Sequence, residues 1–194
     1  EATMMRIITG KARGVRLDTP AGENTRPTAE RAKEAVFSML QFEMESRNVL
    51  DLFAGSGQLG LEALSRGAAH AVLVDRDKTA AEIIKKNTVK TRLAPDCEVY
   101  CADYTEFLRG CRGKRHFDLV FLDPPYAAHL IPDALRQLKK YRALAPNATV
   151  VCESGAEEDV FGGDDTLAAL FDVRRTAKYG VAYVTVLEYR GEDV

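Results

Sequence analysis

Tryptophan is absent from the 194 residues, and proline (7), cysteine (4) and histidine (3) are sparse. Cys97, Cys101, Cys111 and Cys152 show no Cys-x-x-Cys spacing and read as reduced core residues, which leaves out a disulfide scaffold or a zinc ribbon. His70, His116 and His129 are scattered and offer no ligand pair, so no metal is expected. No stretch approaches about 18 consecutive apolar residues, and the start lacks the apolar segment of a secretory signal; a soluble, cytoplasmic protein without a membrane partner is expected. Net charge is also small: 27 basic and 29 acidic residues leave −2, which argues against an indiscriminate nucleic-acid binder. Internal repeats and low-complexity tracts are missing too.

Hydrophobic residues, at 46%, suffice for the core of a single α/β domain. That domain is expected over 28–194. Residues 1–27 read as an extension made of a tag-like Glu1-Ala2-Thr3, a hairpin from 6–10 and 14–17, and a linker from Pro20 to Pro27. Thr28 reads as an N-cap opening a helix with Ala32, Val36, Phe37 and Leu40 on one face.

The strongest organisation lies in the middle of the chain. NVLDLF (48–53) reads as a buried strand, and the segment after it passes from glycines into an apolar pattern at helical spacing, with Leu59, Leu61 and Leu64 as the buried stripe. Gly55 and Gly57 let the backbone approach a ligand closely. With Gly60 they also match the dinucleotide pattern G-x-G-x-x-G, so a nicotinamide cofactor and an oxidoreductase stay open at this point. Further strands are expected at AVLVD (71–75), CEVYCAD (97–103), FDLVFL (117–122), ATVVCE (148–153), and in the tail at 171–180 and 181–190. Helical segments separate the earlier strands and imply parallel pairing. The tight connection at Tyr179-Gly180 demands an antiparallel pair. The expectation is a seven-stranded, mostly parallel, Rossmann-like sheet with one reversed strand.

Acidic residues close these strands in order: Asp51, Asp75, Asp103 and Asp123. Open α/β sheets bind ligands along that edge. Four carboxylates suit a cationic ligand, one with a sulfonium and an α-amino group, better than a pyrophosphate, although Asp also ends strands simply as a turn residue.

Asp123-Pro124-Pro125-Tyr126 follows the fourth strand. Proline fixes its own φ and holds the preceding residue extended, so the carbonyls of Asp123 and Pro124 stand at set positions. Carboxylate and carbonyl can each accept one hydrogen of a planar amino group while Tyr126 stacks on the attached base, and this suits methylation of an exocyclic base nitrogen. Read alone, a Pro-Pro pair is often only a loop start.

Charge is segregated despite its small sum. Arg6, Lys11, Arg13 and Arg16 form a cluster without an acid, and Arg26, Thr28, Arg31 and Lys33 stand near the expected mouth of the cleft. Both groups are candidate phosphate contacts. Four basic residues each occur in 109–115 and 136–142, whereas 153–165 holds six acidic ones. The cluster at 136–142 fits an ordinary amphipathic helix.

LDLFAGSGQLGLEAL, VLVDRD, CADYTEFL and FLDPPY resemble the successive motifs of class I S-adenosylmethionine-dependent methyltransferases. MRIITGKARGVRL and TRPTAERAKEAVFSML are similar to one family within them, the RsmD family of 16S rRNA (guanine-N2)-methyltransferases, with Lys33 where that family usually shows Arg. The resemblance spans Met5 to about Arg190 and implies the following. S-adenosylmethionine is the methyl donor and S-adenosylhomocysteine the product. Asp51, Gly55 and Gly57 surround the methionine part, Asp75 binds the ribose, Asp103 with the Tyr104 backbone binds the adenine edge, and Phe53 and Arg76 are further cofactor contacts. Asp123 to Tyr126 hold the guanine. The partner is 16S rRNA, free or within the small ribosomal subunit, and the enzyme is expected to be a monomer. Because the DPPY element is shared with adenine-N6 enzymes, guanine rests on the N-terminal segment alone.

Overall fold

A computed structural model of the chain describes residues 4–21, 27–155 and 157–191, with the side chains of 27 and 28 outside that description. The elements run α1 (Pro27–Met39), β1 (Asn48–Asp51), α2 (Gln58–Ser65), β2 (His70–Asp75), α3 (Lys78–Lys90), β3 (Cys97–Cys101), α4 (Tyr104–Cys111), β4 (Phe117–Leu122), α5 (Ile131–Lys140), β5 (Leu144–Ser154), α6 (Asp165–Ala168), β6 (Phe171–Tyr179) and β7 (Ala182–Tyr189).

One seven-stranded sheet results, in the order β3-β2-β1-β4-β5-β7-β6. Strands separated by a helix pair in parallel, as β1 does with both β2 and β4. β7 follows β6 after only two residues and is antiparallel to both β5 and β6, so it alone is reversed. The seven strands, the mostly parallel pairing and the single reversal are as the sequence predicts.

Side-chain alternation divides the interior in two. Leu50, Val72, Val120 and Val150 face Leu108 of α4 and Leu135 and Leu138 of α5. Their neighbours in sequence, Val49, Ala71, Leu73, Leu119, Phe121 and Val151, face Phe37 and Leu40 on the α1 side, Leu61 and Leu64 of α2 and Ile84 of α3. Strand residues in the middle of the sheet are therefore apolar on both faces, which is why they read as continuous runs.

Several boundaries differ from expectation. β1 stops at Asp51 and β3 at Cys101, because the chain turns there into the α2 and α4 caps. β3 is an edge strand, and this leaves Cys101 exposed rather than in the core. α1 begins at Pro27, so Thr28 lies in its first turn instead of preceding it. The N-terminal hairpin amounts to one antiparallel bridge, Arg6 with Arg16, supported by Ile7 N–H to Val15 O (3.0 Å) and Leu17 N–H to Met5 O (2.9 Å).

This N-terminal arm is nonetheless fastened to the domain. Ile7, Ala12 and Leu17 belong to the core cluster of α1 and α2. Beneath them Glu62 is wholly buried, accepting from the Ile8 amide (2.9 Å), the Thr9 amide (3.0 Å), Lys33 Nζ (3.0 Å) and Arg66 Nε (2.9 Å). Lys33 also donates to Arg6 O at 3.0 Å. Sequence reasoning puts Lys33 on an RNA-facing surface, and the structure corrects this: its side chain is only 3% exposed and is spent on the Glu62 pair. Burial pushes its ammonium below the ordinary lysine range, and the nearby carboxylate partly offsets that.

A buried carboxylate with four donors is expensive to remove, because two cations and two amides lose their shared acceptor. Glu62→Ala is expected to lower the unfolding free energy by about 3–5 kcal/mol in urea denaturation. Lys33→Met, which leaves Glu62 its other three donors, is expected to cost clearly less in the same measurement.

Candidate active site

The sheet order reverses direction between β1 and β4, and crevices form outside the carboxyl ends of strands at such a point. A cleft of about 750 Å³ opens there. Phe53, Gly55, Asp75, Arg76, Asp103 and Tyr104 line it, as do Asp123, Pro124, Pro125 and Tyr126, with Leu52, Ala102, Ala128 and Leu130 between them in the lining. Two predicted residues stand behind this wall. Gly57, at φ 82°, caps α2 with its α-carbon against Ile84 and Leu73, and Asp51 is 1% exposed.

Each cleft residue has a local reason for its position. Asp75 ends β2 and accepts from the Gly55 amide (2.9 Å) and the Asp77 amide (2.9 Å), so its carboxylate braces the glycine turn. The Ala54 amide donates to Val74 O at 2.9 Å and ties the same turn to the sheet. Gly55 takes φ 58°, and a side chain there would meet nothing within 4 Å: the position opens onto the cleft and gives a ligand access to the backbone. Asp103 is the N-cap of α4 and accepts from the Thr105 amide at 2.9 Å. The Tyr104 and Phe53 rings pack at 5.2 Å between centroids, and the Tyr104 hydroxyl reaches Asp133. Burial, then Asp133, pushes the Tyr104 phenol up to about 12.

Asp51 is strongly perturbed electrostatically at this edge of the sheet. Neither of its side-chain oxygens has a hydrogen-bond partner of regular geometry, although the Phe53 and Gly60 amides lie close enough to favour the anion. Burial dominates and lifts its pKa to about 7, with Asp75 adding to the rise.

Tyr126 stands on the short helical turn after the two prolines and donates from its hydroxyl to Glu153 Oε1 at 2.8 Å. Burial and the adjacent carboxylates push its phenol well above the ordinary tyrosine range. Sequence reasoning missed Glu153 as a site residue. The available signal was position: Glu153 is the penultimate residue of β5, on the same edge as the four aspartates, but it reads as one member of an acidic surface run. Asn87 was missed as well. It is fully buried, donates to Ser56 O (2.8 Å) in the glycine turn and to Asp18 O (2.9 Å), and accepts from the Asp18 amide (2.8 Å).

The predicted RNA contacts are scattered in state. Lys11, Arg13, Arg16 and Arg31 are exposed, and Arg6 is exposed but paired with Glu30 at 3.1 Å. Arg26 and the Thr28 side chain lie outside the described residues. His129 pairs with Glu158 at 3.0 Å. Among the described residues, no three His, Cys, Asp or Glu side chains come together in a way that could hold a metal.

Acidic strand ends, an open glycine turn and an aromatic wall fit a cationic nucleoside-like methyl donor. Sheet order and cleft together define the class I architecture of S-adenosylmethionine-dependent methyltransferases. The family model described as "Conserved hypothetical protein 95" matches residues 5–187, and the chain belongs to that family. Two similar proteins carry the name ribosomal RNA small subunit methyltransferase D. The one from Escherichia coli is 36% identical over 180 residues, covering 92% of this chain and 87% of its own length. The one from Haemophilus influenzae is 39% identical over 151 residues, covering 77% and 78%. Among solved structures, Escherichia coli yhhF is 31% identical with a TM-score of 0.83, covering 98% of this chain and 100% of the other. The resemblance read from the motifs is borne out at the level of family.

The Asp51 geometry gives a pH signature. A carboxyl whose folded pKa of about 7 lies above its ordinary 3.8 favours folding while protonated, so it costs stability progressively as pH rises from 3.8 to about 7. Asp51→Asn is expected to remove that loss, by at most about 1.4 kcal/mol per pH unit across the window. Thermal melts of both proteins from acid to neutral pH check it: the two curves should converge in acid and separate, with the variant more stable, toward neutrality.

Proposed function

We propose that this chain transfers a methyl group from S-adenosylmethionine to the exocyclic N2 of a guanine in 16S rRNA, acting as a cytoplasmic monomer on free rRNA or the small ribosomal subunit. One observation carries the reading: Asp123, Pro124, Pro125 and Tyr126 share a single cleft with Phe53, Gly55, Asp75, Arg76, Asp103 and Tyr104. A cofactor cradle and an amino-group clamp on one cavity are what direct transfer between two bound molecules requires. Relatives named for small-subunit rRNA methylation support the substrate class. Guanine, in preference to an adenine N6, rests on the similarity of the N-terminal segment to the RsmD family.

The donor supplies an electrophilic methyl on a sulfonium. Asp75 and Arg76 hold the ribose, Asp103 and the Tyr104 amide the adenine edge, and Gly55 with Phe53 the methionine portion, with Gly57 and Asp51 shaping the turn from behind. Negative charge from Asp75, Asp103 and Asp123 favours the cationic donor over its neutral-sulfur product. Asp123 Oδ and the Pro124 carbonyl each accept one amino hydrogen, which turns the nitrogen lone pair toward the methyl, and Tyr126 stacks on the purine. Positive charge grows on the amino nitrogen only during transfer, so these fixed acceptors stabilise the transition state more than the ground state. The proton leaves after the methyl has arrived, and no group poised at neutral pKa is needed. Arg6, Lys11, Arg13, Arg16 and Arg31 then serve as phosphate contacts, together with Arg26 and with Thr28 of α1.

Asp123→Ala is expected to lower methyl transfer on the order of 100-fold while S-adenosylhomocysteine affinity stays within a few-fold by calorimetry. Equal loss of both would remove the carboxylate from the base-holding role. Mass spectrometry of nucleosides in 16S rRNA from cells lacking the gene should show one N2-methylguanosine missing and restored by complementation. Loss of an N6-methyladenosine instead would transfer the assignment to adenine, and NAD binding without S-adenosylmethionine binding would favour an oxidoreductase.

A further inference from the structure

Glu153 is an acidic residue at this edge of the sheet to which the chemistry above gives no part. It lies near the end of β5, where Glu153 pairs with Val184 in the ladder, and its side chain meets the Tyr126 hydroxyl at 2.8 Å. Two residues on, Gly155 lies so close to Tyr126 that a β-carbon there would sit 2.3 Å from Cδ2, 2.7 Å from Cγ and 3.0 Å from Cβ of the tyrosine. These contacts restrain different motions. The hydroxyl lies on the axis about which the ring twists, so the bond to Glu153 fixes the tilt of the ring and leaves its twist free. Gly155 packs against the side of the ring and limits the twist.

We propose that Glu153 is a positioning residue for the substrate base: by holding the Tyr126 hydroxyl, with Gly155 seated against the ring, it presents the ring face on which the purine stacks. This rests on the methyltransferase reading of the cleft. Stacking energy depends on the approach of two planes, so a ring that tilts freely gives up part of it when it is ordered at binding. A phenol donating to a carboxylate is a strong bond of this kind. Burial raises the Glu153 carboxyl, and the Tyr126 hydrogen bond favours its anion.

Kinetics with rRNA from cells lacking the gene, and ring spectroscopy without RNA, test this together. Glu153→Ala should raise the KM for RNA about tenfold while kcat at saturating RNA and S-adenosylhomocysteine affinity stay within about twofold. Glu153→Gln, which keeps an oxygen acceptor, should recover most of the loss. In a Tyr126→Phe background Glu153→Ala should add nothing, because the bond is already gone. Gly155→Ala keeps the bond but displaces the ring, and it should raise the RNA KM without weakening S-adenosylhomocysteine binding. With fluorotyrosine incorporated, the resonance lost in Tyr126→Phe should shift or broaden in Glu153→Ala. An unchanged RNA KM in Glu153→Ala, multiplicative effects of the Glu153 and Tyr126 changes, or an unaltered fluorine resonance would each overturn the assignment. Absence of RNA methylation by the unmodified protein would instead refute the functional reading, with the fluorine spectrum still deciding whether Glu153 orders the ring.

Discussion

Parallel pairing of β1 with β4 is the constraint from which the site follows. Val49 stands beside Leu119, Leu50 beside Val120 and Asp51 beside Phe121, so the two strands leave the sheet at nearly the same level. β1 then turns into the glycine loop and β4 into Asp123-Pro124-Pro125-Tyr126. The crossovers on either side run in opposite directions along the sheet, α2 and α3 toward β3 and α5 toward β5 and beyond, and among the described residues the cleft opens between the two loops. A slip of that register by one residue would put Leu50 and Val120 in opposite apolar layers, so core packing and cleft geometry are set together.

Charge placement follows a related logic. Acidic side chains gather where strands end, yet they are in different states. Asp75 and Asp103 are bonded to amides of the turns they support, whereas Asp51 is buried without regular partners and titrates near neutrality. The first two shape the backbone that a donor would touch. Asp51 is a local cost to the fold beneath the glycine turn, of the kind that accumulates at functional sites and is carried by a well-packed surround.

How much of this was legible in the sequence depends on the range of the cause. Strand runs such as FDLVFL, the glycine turn and the DPPY element are local signals, and each appears where its residues place it. Lys33 failed because its environment is set by Glu62, 29 positions away, on a helix whose facing side no local pattern discloses. Cys101 failed because an edge strand and an inner strand look alike until the sheet order is known. Glu153 lies in a run of acids that reads as solvated surface, and only the return of β5 beside β4 brings it to Tyr126. The arm reads as a hairpin extension, but a single bridge and a polar anchor hold it, because its apolar residues are consumed by the α1–α2 core.

The reversed strand β7 is interior to the sheet, between β5 and β6, although it is the last of the seven to be synthesised. β6 has no neighbour in the sheet except β7, and β5 meets only β4 until β7 arrives. On a translating ribosome the half of the sheet that carries Glu153 thus waits with an open hydrogen-bonding margin until Ala182–Tyr189 emerges, and its closure joins Thr149 to Glu188 across a long loop. Late closure makes this strand the keystone of assembly: a nascent chain cut short before it would leave the backbone donors and acceptors of β5 and β6 unpaired and open to strands of neighbouring chains.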